Sequence, residues 1–159
     1  MVTKILFVCL GNICRSPSAE AVMKAFVEQE NLQDKIFIDS AGISGWHIGQ
    51  SADARMQKHA ANRNFYLTSR ARQFDPNTDF EEFDYIIAMD YENMRDLRSM
   101  DSRNIYKDKL HMMTEFNTKI PADIVPDPYY GGADGFENVL DILEDACNGL
   151  LQKIKSNTQ

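Results

Sequence analysis

The chain has 159 residues, with 17 Lys and Arg against 24 Asp and Glu, for a formal net charge of −7. That length suits a single domain spanning 1–159 and is short for two. The acidic balance argues against nucleic acid or an anionic membrane as the main partner. Three Cys without a Cys-x2-Cys pair give neither a disulfide framework nor a zinc site, so no metal is implied. The apolar start at 5–10 is too short for a membrane span and lacks the small-residue cleavage site of a signal peptide, which makes a cytoplasmic, reducing setting the expectation.

Taken in order, Ile5-Leu6-Phe7-Val8 reads as a buried strand that delivers the chain to Cys9. Residues 9–16, Cys-Leu-Gly-Asn-Ile-Cys-Arg-Ser, then form a tight loop, with Ser16 as a suitable N-cap and Pro17 at the first helical position. A helix is predicted over 17–30, because Ala19, Val22, Met23, Phe26 and Val27 recur at helical spacing. Ile36-Phe37-Ile38 reads as a second strand, ended by the turn chemistry of Asp39-Ser40-Ala41-Gly42. A Gly-spaced loop over 43–51 carries the only Trp, Trp46, which either folds back on the core or walls a binding site. Ser51 can cap a helix over 52–62, with Asn64 as its left-handed stop. The polar, basic stretch 68–73 has the composition of a solvated surface.

Phe80 and Phe83 mark a helical turn before a third strand, 85–89, after which Asp90 caps a helix over 91–100. A fourth strand is expected near 109–113, followed by a Pro-rich loop over 120–135. The last helix, 136–155, carries a continuous apolar stripe that includes Cys147, which reads as a core residue. His47, His59 and His111 have no metal-ligand spacing and read as surface or loop residues. Strands alternating with helices predict an α/β fold: one doubly wound domain, a four-stranded parallel sheet with helices on both faces. Its ligand site should lie beyond the strand C-termini at the switch point.

The loop after the first strand has the parts of an anion site. Successive amides of 10–16 and the positive end of the following helix converge on one spot. Arg15 adds a planar fork that matches phosphate oxygens bidentately. Cys9 would lie in the field of both, which favours its thiolate and makes it a candidate nucleophile. Phosphate affinity would then be a local property of Leu10, Gly11, Asn12, Ile13, Cys14, Arg15 and Ser16, working against the acidic global field. A leaving alkoxide or phenoxide still needs a proton, and Asp127, bracketed by Pro126 and Pro128, could supply it; the bare alternative is a Pro-bracketed turn. Tyr129 and Tyr130 beside it could line a slot for an aromatic group.

Cys9-Leu-Gly-Asn-Ile-Cys-Arg-Ser-Pro together with Asp127-Pro-Tyr-Tyr resembles the low-molecular-weight protein tyrosine phosphatases, and the likeness spans the chain through Asp39-Ser40-Ala41-Gly42, Phe83-Asp84-Tyr85-Ile86 and Met89-Asp90. The resemblance implies hydrolysis of phosphotyrosine in proteins through a phosphocysteine on Cys9, with Arg15 binding the phosphoryl oxygens and Asp127 as acid and then base. It implies that Asn12, Ser16 and Ser40 orient the loop, that Trp46, Tyr129 and Tyr130 wall the ring, and that inorganic phosphate or similar oxyanions occupy the site without any cofactor. It further implies that Cys14, otherwise a small packing residue, is a resolving thiol able to form a Cys9–Cys14 disulfide. Ile13 is similar to the tyrosine-directed members, whereas related arginine phosphatases carry Thr there. Ser69 stands where many members have His. Arsenate reductase, a rival on a similar fold, needs a thiol relay, and no Cys lies between Cys14 and Cys147. A binding or redox-sensing module without turnover would have no need of Asp127.

Overall fold

Four consecutive apolar residues at 5–8 are explained by a strand covered on both faces. The computed structural model describes residues 1–130 and 132–157, the side chain of Tyr130 excepted. Its sheet contains β1 (Thr3–Cys9), β2 (Ile36–Gly42), β3 (Tyr85–Ala88) and β4 (Leu110–Met112), all parallel and ordered β2-β1-β3-β4. The helices are α1 (Arg15–Gln29), α2 (Ala54–Ala61), α3 (Asp79–Glu82), α4 (Tyr91–Met100) and α5 (Gly132–Asn157). Along β1 the side chains alternate. Ile5, Phe7 and Cys9 join Val22, Met56 and Leu143 of α1, α2 and α5, while Leu6 and Val8 join Phe80, Met94 and Leu97 of α3 and α4. Burying each such side chain stabilises the fold by roughly 1.5–3 kcal/mol before entropy is counted. The doubly wound α/β expectation is borne out.

The element ends differ from expectation in instructive ways. Ser16 is not the N-cap: α1 begins at Arg15, Cys14 is the cap residue, and no side chain caps it. A capping side chain would consume the amide hydrogens that an anion needs. β2 continues through Asp39–Gly42 instead of turning there. β1 pairs with its whole length, and residues 72–74 lie along its far end, with Gly42 N–H donating to Arg72 O at 2.8 Å and Phe74 N–H to Gly42 O at 2.7 Å. Asp53, not Ser51, caps α2, its Oδ1 accepting from Arg55 N at 2.9 Å and Met56 N at 3.1 Å. Asn64 is left-handed as expected, at φ 68°. α5 starts at Gly132, not 136, because its first turn is polar and invisible to apolar periodicity. Asp90 caps α4, accepting from Asn93 N at 2.8 Å, as expected. The expected fourth strand is β4, and it carries His111.

At Gly149 the backbone of α5 lies tight against the 3-10 turn Met113–Phe116: a Cβ built there would stand 1.9 Å from Phe116 O. Gly149→Ala should therefore destabilise the protein by at least about 1–3 kcal/mol, the usual range for overpacking. Urea unfolding measures this directly, and an unchanged midpoint would contradict that contact.

Candidate active site

The ends of three strands meet at the loop after β1. Cys9, the last residue of β1, is 3% exposed. Its backbone O accepts from Ile43 N at 2.9 Å, and Leu10 O accepts from Ser44 N at 2.9 Å, so the chain beyond β2 walks alongside the loop. The fit leaves no room for a side chain at Gly42, where a Cβ would stand 3.0–3.1 Å from the backbone of Leu10, Gly11 and Asn12. At Asn12 the chain turns left-handed, with φ 58°, a conformation Asn tolerates better than most residues.

Asn12 is the hub of the polar interior. Its Nδ2 donates to Ser16 Oγ at 2.8 Å and to Ser40 Oγ at 3.0 Å, and its Oδ1 accepts from Arg72 N at 3.0 Å. Ser16 Oγ lies 3.0 Å from Cys9 Sγ. Since Asn12 donates to that hydroxyl, the Ser16 hydrogen is shared between the sulfur and Ala41 O, which lies 3.4 Å away. Ser40 Oγ donates to Glu20 Oε1 at 2.6 Å, and Lys24 Nζ donates to Glu20 Oε2 at 2.6 Å. Glu20 is 4% exposed and was not singled out by the sequence, because a polar residue in a helix carries no periodic signature. Arg72 corrects the reading of 68–73 as solvated surface. Half-buried, it bonds Asp39 through Nε (3.1 Å) and Asp79 through Nη1 (2.9 Å) and Nη2 (3.2 Å). Burial works to lower its pKa, and the Asp79 and Asp39 carboxylates more than offset this and hold it raised.

Arg15 is 3% exposed. Its Nη1 donates to Asp90 Oδ2 at 2.7 Å and to Val125 O at 3.0 Å. Burial alone would lower its pKa, but Cys9, Asp90 and Asp127 hold it above the ordinary guanidinium value. Asp90 thus caps α4 with one oxygen and grips Arg15 with the other. Its second role was not legible, since the cap explained it fully.

Above the loop is a cleft of about 280 Å³ lined by Cys9, Arg15, Asp127, Trp46 and Tyr129, with Leu10, Gly11, Ile13 and Cys14 from the loop itself. Val125 N donates to Met89 O at 2.8 Å, which anchors the Asp127 segment to the end of β3. Asp127 is exposed, and its Oδ1 accepts from Tyr129 N at 2.9 Å. Trp46 is 76% exposed at the rim, so the core alternative for it is lost. The Tyr130 side chain lies outside the described residues. His47, read from sequence as a plain loop residue, lines the cleft, its Cδ2 3.0 Å from where a Gly11 Cβ would stand. Cys14 lines it too; burial first, then the charges of Asp53, Cys9 and Asp127, push its thiol up to about 12. Cys147 is fully buried on α5, as expected, and burial raises its pKa. Among the described residues no group of three or more His, Cys, Asp or Glu could hold a metal ion. Among them, too, no helix is long and apolar enough to cross a membrane.

The Asn12 hub yields a paired prediction. Asn12→Gly keeps the left-handed turn and loses the side-chain bonds, whereas Asn12→Ala loses both. Both should weaken inorganic phosphate binding in a calorimetric titration, and Asn12→Ala should lower stability further by about 1 kcal/mol for the strained φ. Equal phosphate affinity in wild type and both variants would show that the hub does not shape the anion site.

The chain is matched over residues 4–159 by the family model described as low molecular weight phosphotyrosine protein phosphatase. It is 50% identical over 151 residues to a putative low molecular weight protein-tyrosine-phosphatase of Synechocystis, covering 95% of this chain and 96% of that one. The crystal structure of a protein tyrosine phosphatase from Entamoeba histolytica with Hepes in the active site is similar at a TM-score of 0.92 and 46% identity, covering 99% of both chains. That of YfkJ from Bacillus subtilis is similar at a TM-score of 0.93 and 39% identity, covering 100% of this chain and 98% of that one.

Proposed function

The chain belongs to the low molecular weight phosphotyrosine protein phosphatase family, and we propose that it hydrolyses phosphotyrosine in proteins through a phosphocysteine on Cys9. The observation that carries this reading is the convergence of Cys9, Arg15 and Asp127 in one aromatic-rimmed cleft. In the first step the Cys9 sulfur attacks phosphorus; the S–P bond forms, the P–O bond to the tyrosyl ring breaks, and the Asp127 carboxyl gives its proton to the departing oxygen. In the second, water attacks phosphorus while the Asp127 carboxylate takes its proton. The P–S bond breaks, and inorganic phosphate leaves. Arg15 uses Nη1 on Asp90 and Val125, so the N–H groups of Nε and Nη2 remain for the phosphoryl oxygens. Ser16 Oγ, 3.0 Å from the sulfur, is placed to hold the attacking Sγ by a hydrogen bond.

Trp46 and Tyr129 suit a flat phenyl ring, and half-buried Ile13 offers it an apolar contact, which supports tyrosine over arginine as the phosphorylated residue. Hepes, which occupies the active site of the Entamoeba relative, carries a sulfonate, an oxyanion shaped like phosphate. The proposed partners are phosphotyrosine proteins and free oxyanions, in the cytoplasm.

Three outcomes check this reading. Cys9→Ser should abolish turnover and keep phosphate binding; residual turnover would remove Cys9 as nucleophile. Asp127→Asn should slow poor leaving groups by about a hundredfold or more and good ones much less. Turnover of phosphoarginine peptides above phosphotyrosine peptides would reverse the substrate assignment.

A second reading is favoured by both loop sulfurs lining the same cleft. Peroxide would oxidise the Cys9 sulfur to a sulfenic acid, and the Cys14 sulfur would displace its hydroxyl, closing a disulfide and releasing water. With its thiol up near 12, Cys14 is neutral at pH 7. Disulfide closure should accordingly quicken about tenfold per pH unit between 7 and 9, as the thiolate fraction does. A closure rate flat with pH, or full recovery of Cys14→Ser after peroxide and thiol treatment, would count out this protection.

A further inference from the structure

We propose that α2 is the caliper that sets the distance between the nucleophile loop and Asp127, with Arg55 and His59 as positioning residues for the acid. This rests on Asp127 being the general acid, as proposed above.

Asp127 needs positioning from outside, because it is exposed and, among the described residues, its carboxylate accepts from the nearby Tyr129 N. Upstream, the segment is tied at Val125 to Met89 and Arg15. Downstream, Pro128 is buried against the first turn of α5: a Cβ on Gly135 would stand 3.4 Å from Pro128 O and 3.6 Å from its Cα. The position of Asp127 therefore follows that of the start of α5.

The start of α5 is gripped by α2. The His59 ring lies flat on Phe136, with centroids 5.2 Å apart and planes 9° apart, while its Nδ1 pairs with the Glu137 carboxylate. The Arg55 guanidinium sits over two rings at once, 5.0 Å from the centroid of Phe136 and 5.5 Å from that of Tyr129. These contacts straddle the acid segment and the helix behind it. Beyond the end of α2, Arg63 continues the grip along α5, reaching Glu137 at 2.6 Å, Asp141 at 2.9 Å and Glu144 at 2.6 Å.

The other end of α2 is fixed to the nucleophile loop. Asp53, its cap, donates its backbone N–H to Ile13 O at 2.8 Å. One rigid element of eight residues thus touches the loop that holds Cys9 and the segment that holds Asp127. Proton transfer to a leaving oxygen requires hydrogen-bond reach, so a shift of about an ångström in Asp127 is costly for substrates that need the proton and nearly harmless for those that do not.

The test is kcat/KM, which reports the bond-breaking step, over aryl phosphates ranging from good to poor leaving groups. It is measured for wild type, His59→Ala, Arg55→Ala, Asp127→Asn and His59→Ala combined with Asp127→Asn. Arg55 is exposed, so its variant keeps the fold even where His59→Ala does not. Both single variants should lose about tenfold on the poorest leaving group and less than about twofold on the best. In the Asp127→Asn background His59→Ala should add nothing. Equal slowing on every substrate in both single variants, or a loss that multiplies with that of Asp127→Asn, overturns the proposal. If Asp127→Asn itself slows all substrates equally, the assignment of the acid fails first and the caliper falls with it.

Discussion

A guanidinium that is 3% exposed cannot be left to find its own partners, and the pairing of Arg15 with Asp90 is the constraint on which the site depends. Removing Asp90 would leave the buried Arg15 charge uncompensated where water hardly reaches it, a penalty of several kcal/mol in comparable buried pairs. The same contact joins three chain segments. Asp90 follows β3 and starts α4, Arg15 starts α1, and Val125, which shares Nη1, leads into Asp127. One cation therefore aligns the strand ends, and its Nε and Nη2 donors are the ones the proposed mechanism assigns to the anion.

The electrostatics are local. A chain of net charge −7 repels anions at a distance. Within the loop, however, the uncapped start of α1, the amides of 10–14 and Arg15 make a small positive bowl. Asp127 is the acidic side chain that lines this bowl, and the carboxylates behind it are engaged elsewhere: Asp90 with Arg15, Asp53 with the start of α2, Glu20 with Ser40 and Lys24. On the proposed reading, shape and charge select one oxyanion at one place without making the whole surface sticky for polyanions.

The part of the site that was legible in the sequence is the part that is contiguous. Cys9 to Arg15 is one run between a strand and a helix and could be named without coordinates, whereas Asp127, by its prolines alone as readily a turn, needed the family resemblance. The strands were visible because β1 and β3 are covered on both faces and read as unbroken apolar runs. What could not be read is what depends on long-range pairing. Asp39 to Gly42 has turn composition, yet it stays extended because β1 and residues 72–74 satisfy its backbone from both sides. Ser16 looked like a cap, yet its hydroxyl serves Cys9 and Asn12. Arg72, Glu20 and the second oxygen of Asp90 act on residues about 20 to 75 positions away, beyond any local pattern. For the same reason the rim residue Trp46 was undecided and His47 read as a plain surface or loop residue.

Location of the phosphoryl group during turnover bears most directly on the central claim, that Cys9 is the nucleophile in a cleft built for an oxyanion. Phosphotyrosine peptide would be mixed with the protein, quenched within one turnover, and the digest examined by mass spectrometry. Phosphate attached to the peptide containing Cys9, formed as fast as the phenol is released, is the result expected. Phosphate on another residue, or phenol release with no covalent phosphoenzyme at any time point, would contradict it.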